Sequence, residues 1–220
     1  MITNTPSSSS LGKFITFEGG EGVGKSTNIE YCRQLLEQQG LDVIITREPG
    51  GTEIAEIIRE ELLKKPHKER MSDITELLLV FAARAQHIET LVKPALERGC
   101  WVLCDRFTDS TIAYQGYGRG LDVKLIEQLK LIAQLGIEPN KTFLLDAPVD
   151  IGMSRARARG PADRFEVEQL DFFNRVREGF LAIADKSPER VQLVNAAQAL
   201  EQVQADLEQA IEQLFAAEKS

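Results

Sequence analysis

One stretch limits what this chain can become more than any other: Gly19-Gly20-Glu21-Gly22-Val23-Gly24-Lys25-Ser26-Thr27. It stands behind the apolar run Lys13-Phe14-Ile15-Thr16-Phe17-Glu18, which reads as a buried strand, and ahead of a helical segment from Lys25 to Gln39. Strand, glycine loop and helix with the spacing G-x-x-x-x-G-K-[ST] form a phosphate-binding loop. Glycines allow positive φ and put no Cβ between backbone N–H groups and phosphate oxygens. The helix N-terminus adds unpaired N–H groups and the positive end of its dipole. Lys25 is placed to neutralise the β- and γ-phosphates, and the Ser26 hydroxyl to ligate Mg²⁺.

The 220 residues are enough for one large domain with a small lid. A formal charge of −8 argues against a general binder of nucleic acid or membrane surfaces. Cys32, Cys100 and Cys104 have neither a metal-binding spacing nor the even count of a disulfide framework, which fits a reducing cytoplasm. Residues 1–12 read as a disordered tail without the apolar core of a signal peptide. The most apolar run, Leu77 to Ala83, is too short to span a membrane.

Further strands are expected at Leu41–Thr46, Trp101–Asp105, Thr142–Asp146 and Arg190–Val194. A helix capped by Thr52 is expected to bury Ile54, Ile57, Ile58 and Leu62. A long helix from Ser72 to Arg98 should kink or break at Pro94. Asp122–Leu135, Val149–Arg159, Phe165–Ala184 and Gln198–Ala217 complete the helices. Alternating strands and helices imply an α/β fold of the P-loop NTPase type: five parallel strands with helices on both faces and a short lid at about residues 153–166. Residues 13–220 read as a single domain.

A phosphate loop serves switches, motors and kinases alike, so the chemistry must be read elsewhere. Asn140-Lys141-Thr142-Phe143 lacks the aspartate of a guanine-reading motif and precedes a strand rather than following one. Asp105, at a strand end, is followed by Arg106 instead of an acidic partner that could activate water. An arginine there can hold a second anion beside the donor phosphates, which favours transfer to a phosphorylated acceptor over hydrolysis. Phe81 and Arg84 share a helix face and suit stacking on a base and bonding its edge, or else core packing and a solvated charge. Arg155, Arg157 and Arg159 alternate with alanines before Gly160-Pro161. They fit a lid that closes on the transferring phosphoryl group, or a solvated basic helix end.

Taken together, Phe17 through Thr27, Arg47-Glu48-Pro49-Gly50-Gly51-Thr52, Asp105-Arg106-Phe107 through Ala113-Tyr114-Gln115, and the arginine segment ending Asp163-Arg164-Phe165-Glu166 resemble the thymidylate kinase family. The likeness runs from about residue 13 to 215. It implies phosphoryl transfer from Mg·ATP to dTMP, giving dTDP and ADP for dTTP synthesis, by a cytosolic homodimer. By position, the loop from Gly19 to Thr27 would hold ATP, with Lys25 on its phosphates and Ser26 and Asp105 near Mg²⁺. Arg106 would clamp the dTMP phosphate and Arg84 would reach the thymine edge. Glu48, Pro49, Phe81, Ser110, Thr111, Tyr114 and Gln115 would line the nucleoside pocket, with Glu21 at the 3′-hydroxyl. Among loop residues, Gly20, Glu21 and Val23 are not basic, so the resemblance is to the bacterial type, in which lid arginines supply the catalytic cation.

One departure stands out. Many members carry the base-stacking aromatic four residues before the arginine, and here that position is Val80, with Phe81 displaced by about 100° around the helix. Two other activities compete with the resemblance: a kinase for a different nucleoside monophosphate, and a nucleotide-dependent switch.

Overall fold

The computed structural model describes residues 11–65, 67–158 and 169–218. Five strands, β1 (Phe14–Glu18), β2 (Val43–Arg47), β3 (Trp101–Asp105), β4 (Lys141–Asp146) and β5 (Val191–Asn195), form one sheet in the order β2-β3-β1-β4-β5. Every pairing is parallel, as the strand–helix alternation predicts. β1 is central and buried throughout, which explains its run of Phe and Ile without polar alternation. Phe17 pairs with Asp105, and Asp105 with Arg47, so the three strands end together at one sheet edge. Ligands bind at that edge in open parallel sheets.

Helices α1 (Lys25–Gln38) and α9 (Leu200–Glu218) cover one face, where Ile29, Cys32 and Leu36 meet Leu207 and Ile211 over Ile15 and Phe17. On the other face, Ile88, Val92 and Ala95 pack on Phe14 and Val102. Helix α8 (Leu170–Lys186) buries Phe172, Phe173, Val176 and Phe180 against Leu144 and Val191. Each fully buried phenylalanine adds about 1.5–3 kcal/mol relative to an exposed one.

Around Pro94, where a kink or break is expected, the helix changes its hydrogen-bonding pattern but stays helical. α3 (Asp73–His87), capped by Ser72 Oγ accepting the Thr75 N–H at 3.1 Å, passes into a π-helical turn, Ile88–Val92, before α4 (Lys93–Glu97). The proline ring would clash with the carbonyl four residues earlier in a continuous α-helix, and the wider turn just ahead of it opens the ladder.

The helix after β2 departs from expectation. It is α2 (Glu53–Ile57), continuing as a π-helical turn, Ile58–Lys64. Thr52 makes no side-chain cap; instead Glu56 Oε1 accepts the Gly51 N–H at 2.8 Å. Ile54, Ile57 and Leu62 are exposed, and the inward stripe is buried Ala55, half-buried Arg59 and buried Leu63, four residues apart. The remaining helices are α5 (Thr108–Thr111), passing into a π-helical turn at Ile112–Gly118, α6 (Val123–Gln134) and α7 (Val149–Arg157). Most of the expected tail, Arg159 and the segment Asp163–Glu166 lie outside the described residues. Among the described residues no helix is long and apolar enough to cross a membrane.

Candidate functional site

The phosphate loop leaves β1 through Gly19, at φ 134°, where a Cβ would collide with the Leu145 carbonyl oxygen. It enters α1 through Gly24 at φ 86°. L-residues adopt neither conformation readily, so glycine is required at both. The Lys25 ammonium lies inside the loop and donates to the carbonyls of Gly20 at 2.9 Å and Gly19 at 3.3 Å. Burial, helped by Arg106, lowers its pKa against the opposing pull of Asp105, Glu21 and Glu18. Ser26 and Thr27 follow on exposed positions of the first turn.

Ser26 and Asp105 face one cavity, together with Thr46 and Arg47. Asp105 Oδ1 is buried there without a protein partner. Among the described residues no cluster of three His, Cys, Asp or Glu side chains could hold a metal alone. One hydroxyl and one unsatisfied carboxylate oxygen beside a phosphate loop fit Mg²⁺, which takes few protein ligands and completes its shell with water and phosphate oxygens.

A second cleft opens on the other side of Asp105-Arg106. Glu21, Glu48, Pro49, Arg84, Arg106, Ser110, Thr111, Tyr114 and Gln115 all line it, so the sequence-predicted acceptor residues converge with one exception. Phe81 is that exception. It packs with Leu77, Ile126 and Ala133, and its ring lies 4.8 Å beneath the Arg84 guanidinium carbon. Val80, one position earlier on the helix, lines the cleft instead. The 100° step between neighbours turns the ring into the core, where it supports Arg84.

Arg84 is only 1% exposed and fixed from three sides. Its Nε donates to Glu48 Oε2 at 2.7 Å, its Nη2 to Thr111 Oγ1 at 2.9 Å, and Phe107 lies 5.2 Å from its guanidinium carbon. Glu48 Oε1 is 2.8 Å from His87 Nδ1, and His87 Nε2 is 2.7 Å from Thr46 Oγ1. Burial would raise the Glu48 pKa, but Arg84 and His87 outweigh it and hold it below the ordinary value. Arg84 Nη1 is buried without a protein partner.

Arg106, just past β3, takes φ 70° and so turns back over the phosphate loop. It donates through Nη2 to Glu21 Oε1 at 2.6 Å and through Nη1 to the Gly19 carbonyl at 2.9 Å. The Tyr114 hydroxyl also donates to Glu21 Oε1, at 2.7 Å. Beneath them, Glu18 Oε1 accepts the Phe107 N–H at 2.7 Å and Oε2 the Ser110 hydroxyl at 2.5 Å. Burial and Asp109 raise the Glu18 pKa to about 8.

Sequence reasoning missed Arg59, Leu63, Lys64 and Phe107, which also line the cleft. The signal for Arg59 was present: a basic residue between Ala55 and Leu63 on the inward stripe. Burial lowers its pKa; its Nη1 donates to the Pro49 carbonyl at 2.7 Å, and its Nε lies 3.5 Å from Glu60 Oε1.

The arginines of α7 are not all placed as expected. Arg155 Nη1 donates to the Ala196 carbonyl at 2.8 Å, beyond the end of β5, rather than reaching over the phosphate loop. Gly152 and Ala156 occupy the side of α7 that meets the loop, which turns the neighbouring Arg155 and Arg157 to its flanks. Arg157 is exposed.

Comparison with known proteins agrees with this geometry. The thymidylate kinase family model matches residues 17–207. The chain is 53% identical over 206 residues to the thymidylate kinase of Ectopseudomonas mendocina, covering 94% of this chain and 98% of that one. It is 57% identical over 204 residues to that of Pseudomonas fluorescens, covering 93% and 97%. A crystal structure of thymidylate kinase from Ehrlichia chaffeensis superposes with a TM-score of 0.73 at 35% identity, covering 91% of this chain and 99% of that one. With a family model over residues 17–207 and relatives matched over nearly the whole length, the chain belongs to the thymidylate kinase family.

Proposed function

We infer that the chain transfers the terminal phosphoryl group of ATP to dTMP, giving dTDP and ADP. The observation that carries this reading is the pair Asp105-Arg106. Asp105 faces the cavity beside the phosphate loop, while Arg106 lines the neighbouring cleft. Donor and acceptor phosphates are thus brought to opposite sides of one strand end.

The acceptor is already a phosphate oxyanion, so its attack on the γ-phosphorus needs no strong general base. Positioning and charge neutralisation suffice. The loop amides and Lys25 hold the donor, and Arg106, assisted by Arg59, holds the acceptor phosphate. Ser26 and Asp105 would hold Mg²⁺, which when bound neutralises donor oxygens. Glu21 and Tyr114 suit a sugar hydroxyl. The unpartnered Arg84 Nη1 suits a base carbonyl, as thymine presents and the amino group of cytosine does not. Val80 packs on the base. Further positive charge comes from the α7 arginines and the residues that follow them; Arg155 and Arg157 are both exposed, and Arg155 is tied to the Ala196 carbonyl.

A homodimer is supported by the apolar residues of α6 left on the surface, with Leu131 78% and Ile132 73% exposed. A cytoplasmic location fits the three free cysteines.

The test is an ADP-release assay with ATP and a panel of nucleoside monophosphates. dTMP should be the best acceptor. Preference for another monophosphate would replace the substrate assignment, and no acceptor-dependent ADP release would refute the kinase reading.

A further inference from the structure

The phosphate loop and α7 meet backbone to backbone. A Cβ built on Gly22 would fall inside contact distance of the Gly152 carbonyl oxygen and within 3.0 Å of the Ala156 backbone nitrogen. A Cβ on Gly152 would in turn collide with the Glu21 carbonyl oxygen. Gly152 and Ala156 are four residues apart, so they form a notch on one side of the helix, and the Glu21–Gly22 segment sits in it. Both are buried. At its far side, α7 is tied by Arg155 to the Ala196 carbonyl, beyond the end of β5.

We propose that this notch is a positioning contact for phosphoryl transfer: Gly152 and Ala156 seat α7 on the donor-phosphate loop and so fix where the helix presents its arginines. The proposal rests on the donor role assigned to the loop above. Its physical basis is that the colliding atoms are backbone on both sides. A methyl group at residue 152 cannot be absorbed by a side-chain rotation, and either the helix or the loop must move. Glu21, the residue before Gly22, also reaches the acceptor cleft through its side chain. A displacement of the helix therefore acts on the donor loop directly and on the acceptor only through Glu21 and its partner Arg106, whereas Arg84, Glu48 and Thr111, fixed among themselves, hold the base pocket independently.

Gly152→Ala tests this by steady-state kinetics against the parent enzyme. The expected result is a fall in kcat of about 10- to 100-fold, the scale of an ångström-sized misplacement. KM for ATP should rise by a larger factor than KM for dTMP, the acceptor being affected only through Glu21 and Arg106. Ala156→Val narrows the same notch from its other edge and should reproduce the pattern; it carries the test should Gly152→Ala fail to fold. Parent-like kcat and KM for ATP in a folded variant, with or without a lower Tm, would overturn the proposal and leave only packing. An equal or larger rise in KM for dTMP would overturn it as well. The parent's own dTMP-dependent activity tests the kinase reading separately, because the seat is judged only from the variant-to-parent ratio.

Discussion

The Arg106 guanidinium lies 2.6 Å from Glu21 Oε1, joining the residue after β3 to the middle of the phosphate loop. The same guanidinium sits 4.9 Å from the Tyr114 ring centre. A cation held by a loop carboxylate and an aromatic face is positioned in the cleft before an acceptor phosphate arrives.

Replacing it should therefore weaken acceptor use specifically. Arg106→Ala removes one charge-assisted contact of about 1.5–3 kcal/mol, about 10- to 100-fold in KM for dTMP. KM for ATP should change much less. Steady-state kinetics with an unchanged KM for dTMP would remove Arg106 from the acceptor site.

Glu48→Gln addresses the base-reading arginine. It leaves the Arg84 guanidinium, 1% exposed, without its anionic partner. Breaking a buried pair from one side costs about 3–5 kcal/mol. Denaturant unfolding should show a loss of that order, and discrimination between dTMP and dCMP should fall. A stable variant with parent-like discrimination would show that Arg84 is held by Thr111 and packing alone.

Glu18 makes stability depend on pH. Burial, reinforced by Asp109, raises its carboxyl to about 8, against Ser110, Arg106 and Phe107. An unfolded glutamate titrates near ~4.3. Between those values the folded chain binds the proton and the unfolded chain does not. The contribution is therefore complete below the unfolded value and is lost as pH rises through about 8. Glu18→Gln can still accept the Phe107 N–H while donating to Ser110, and should flatten the decline. Denaturation midpoints from pH 5 to about 8 give the comparison, and identical slopes for variant and parent would contradict the assignment.

Asp105 and Ser26 predict a metal effect. Asp105→Asn keeps the shape but removes the negative charge from the unsatisfied oxygen. The Mg²⁺ concentration for half-maximal rate should rise about tenfold or more, with Ser26→Ala showing a smaller shift in the same direction. Mg²⁺ titrations of the rate that superpose on the parent's would exclude both residues as ligands.

The exposed apolar side of α6 predicts association. Leu131→Glu combined with Ile132→Glu should convert a dimer to a monomer in light scattering after size exclusion. A dimer of unchanged strength would place the interface elsewhere.

Much of this was legible in the chain because local chemistry determined it. The loop from Gly19 to Ser26 needs glycine at Gly19 and Gly24, and the continuous apolar runs of β1, β3 and β4 require a sheet covered on both faces. Arg106 was legible because a basic residue after a strand-end carboxylate is hard to explain otherwise. What escaped was rotational. Phe81 and Val80 are neighbours with the same apolar character, and only the packing of α3 on α6 decides which one faces the cleft. The helix after β2 is rotated in the same way: Ile54 and Ile57 of α2 are exposed, and half-buried Arg59 lies between Ala55 and Leu63 where the helix passes into the π-helical turn. Helical periodicity assumes 3.6 residues per turn, and it misplaces faces where that number changes.

The left-handed backbone of Arg106 has a consequence for how this enzyme tolerates change. A non-glycine residue at φ 70° carries a cost of about 1–2 kcal/mol. A glycine at residue 106 would relieve it, but would also remove the guanidinium that ties Glu21 Oε1 and the Gly19 carbonyl to the end of β3. The strain and the bonds it makes possible stand or fall together, so the backbone of one residue sets the spacing between the phosphate loop and the acceptor cleft.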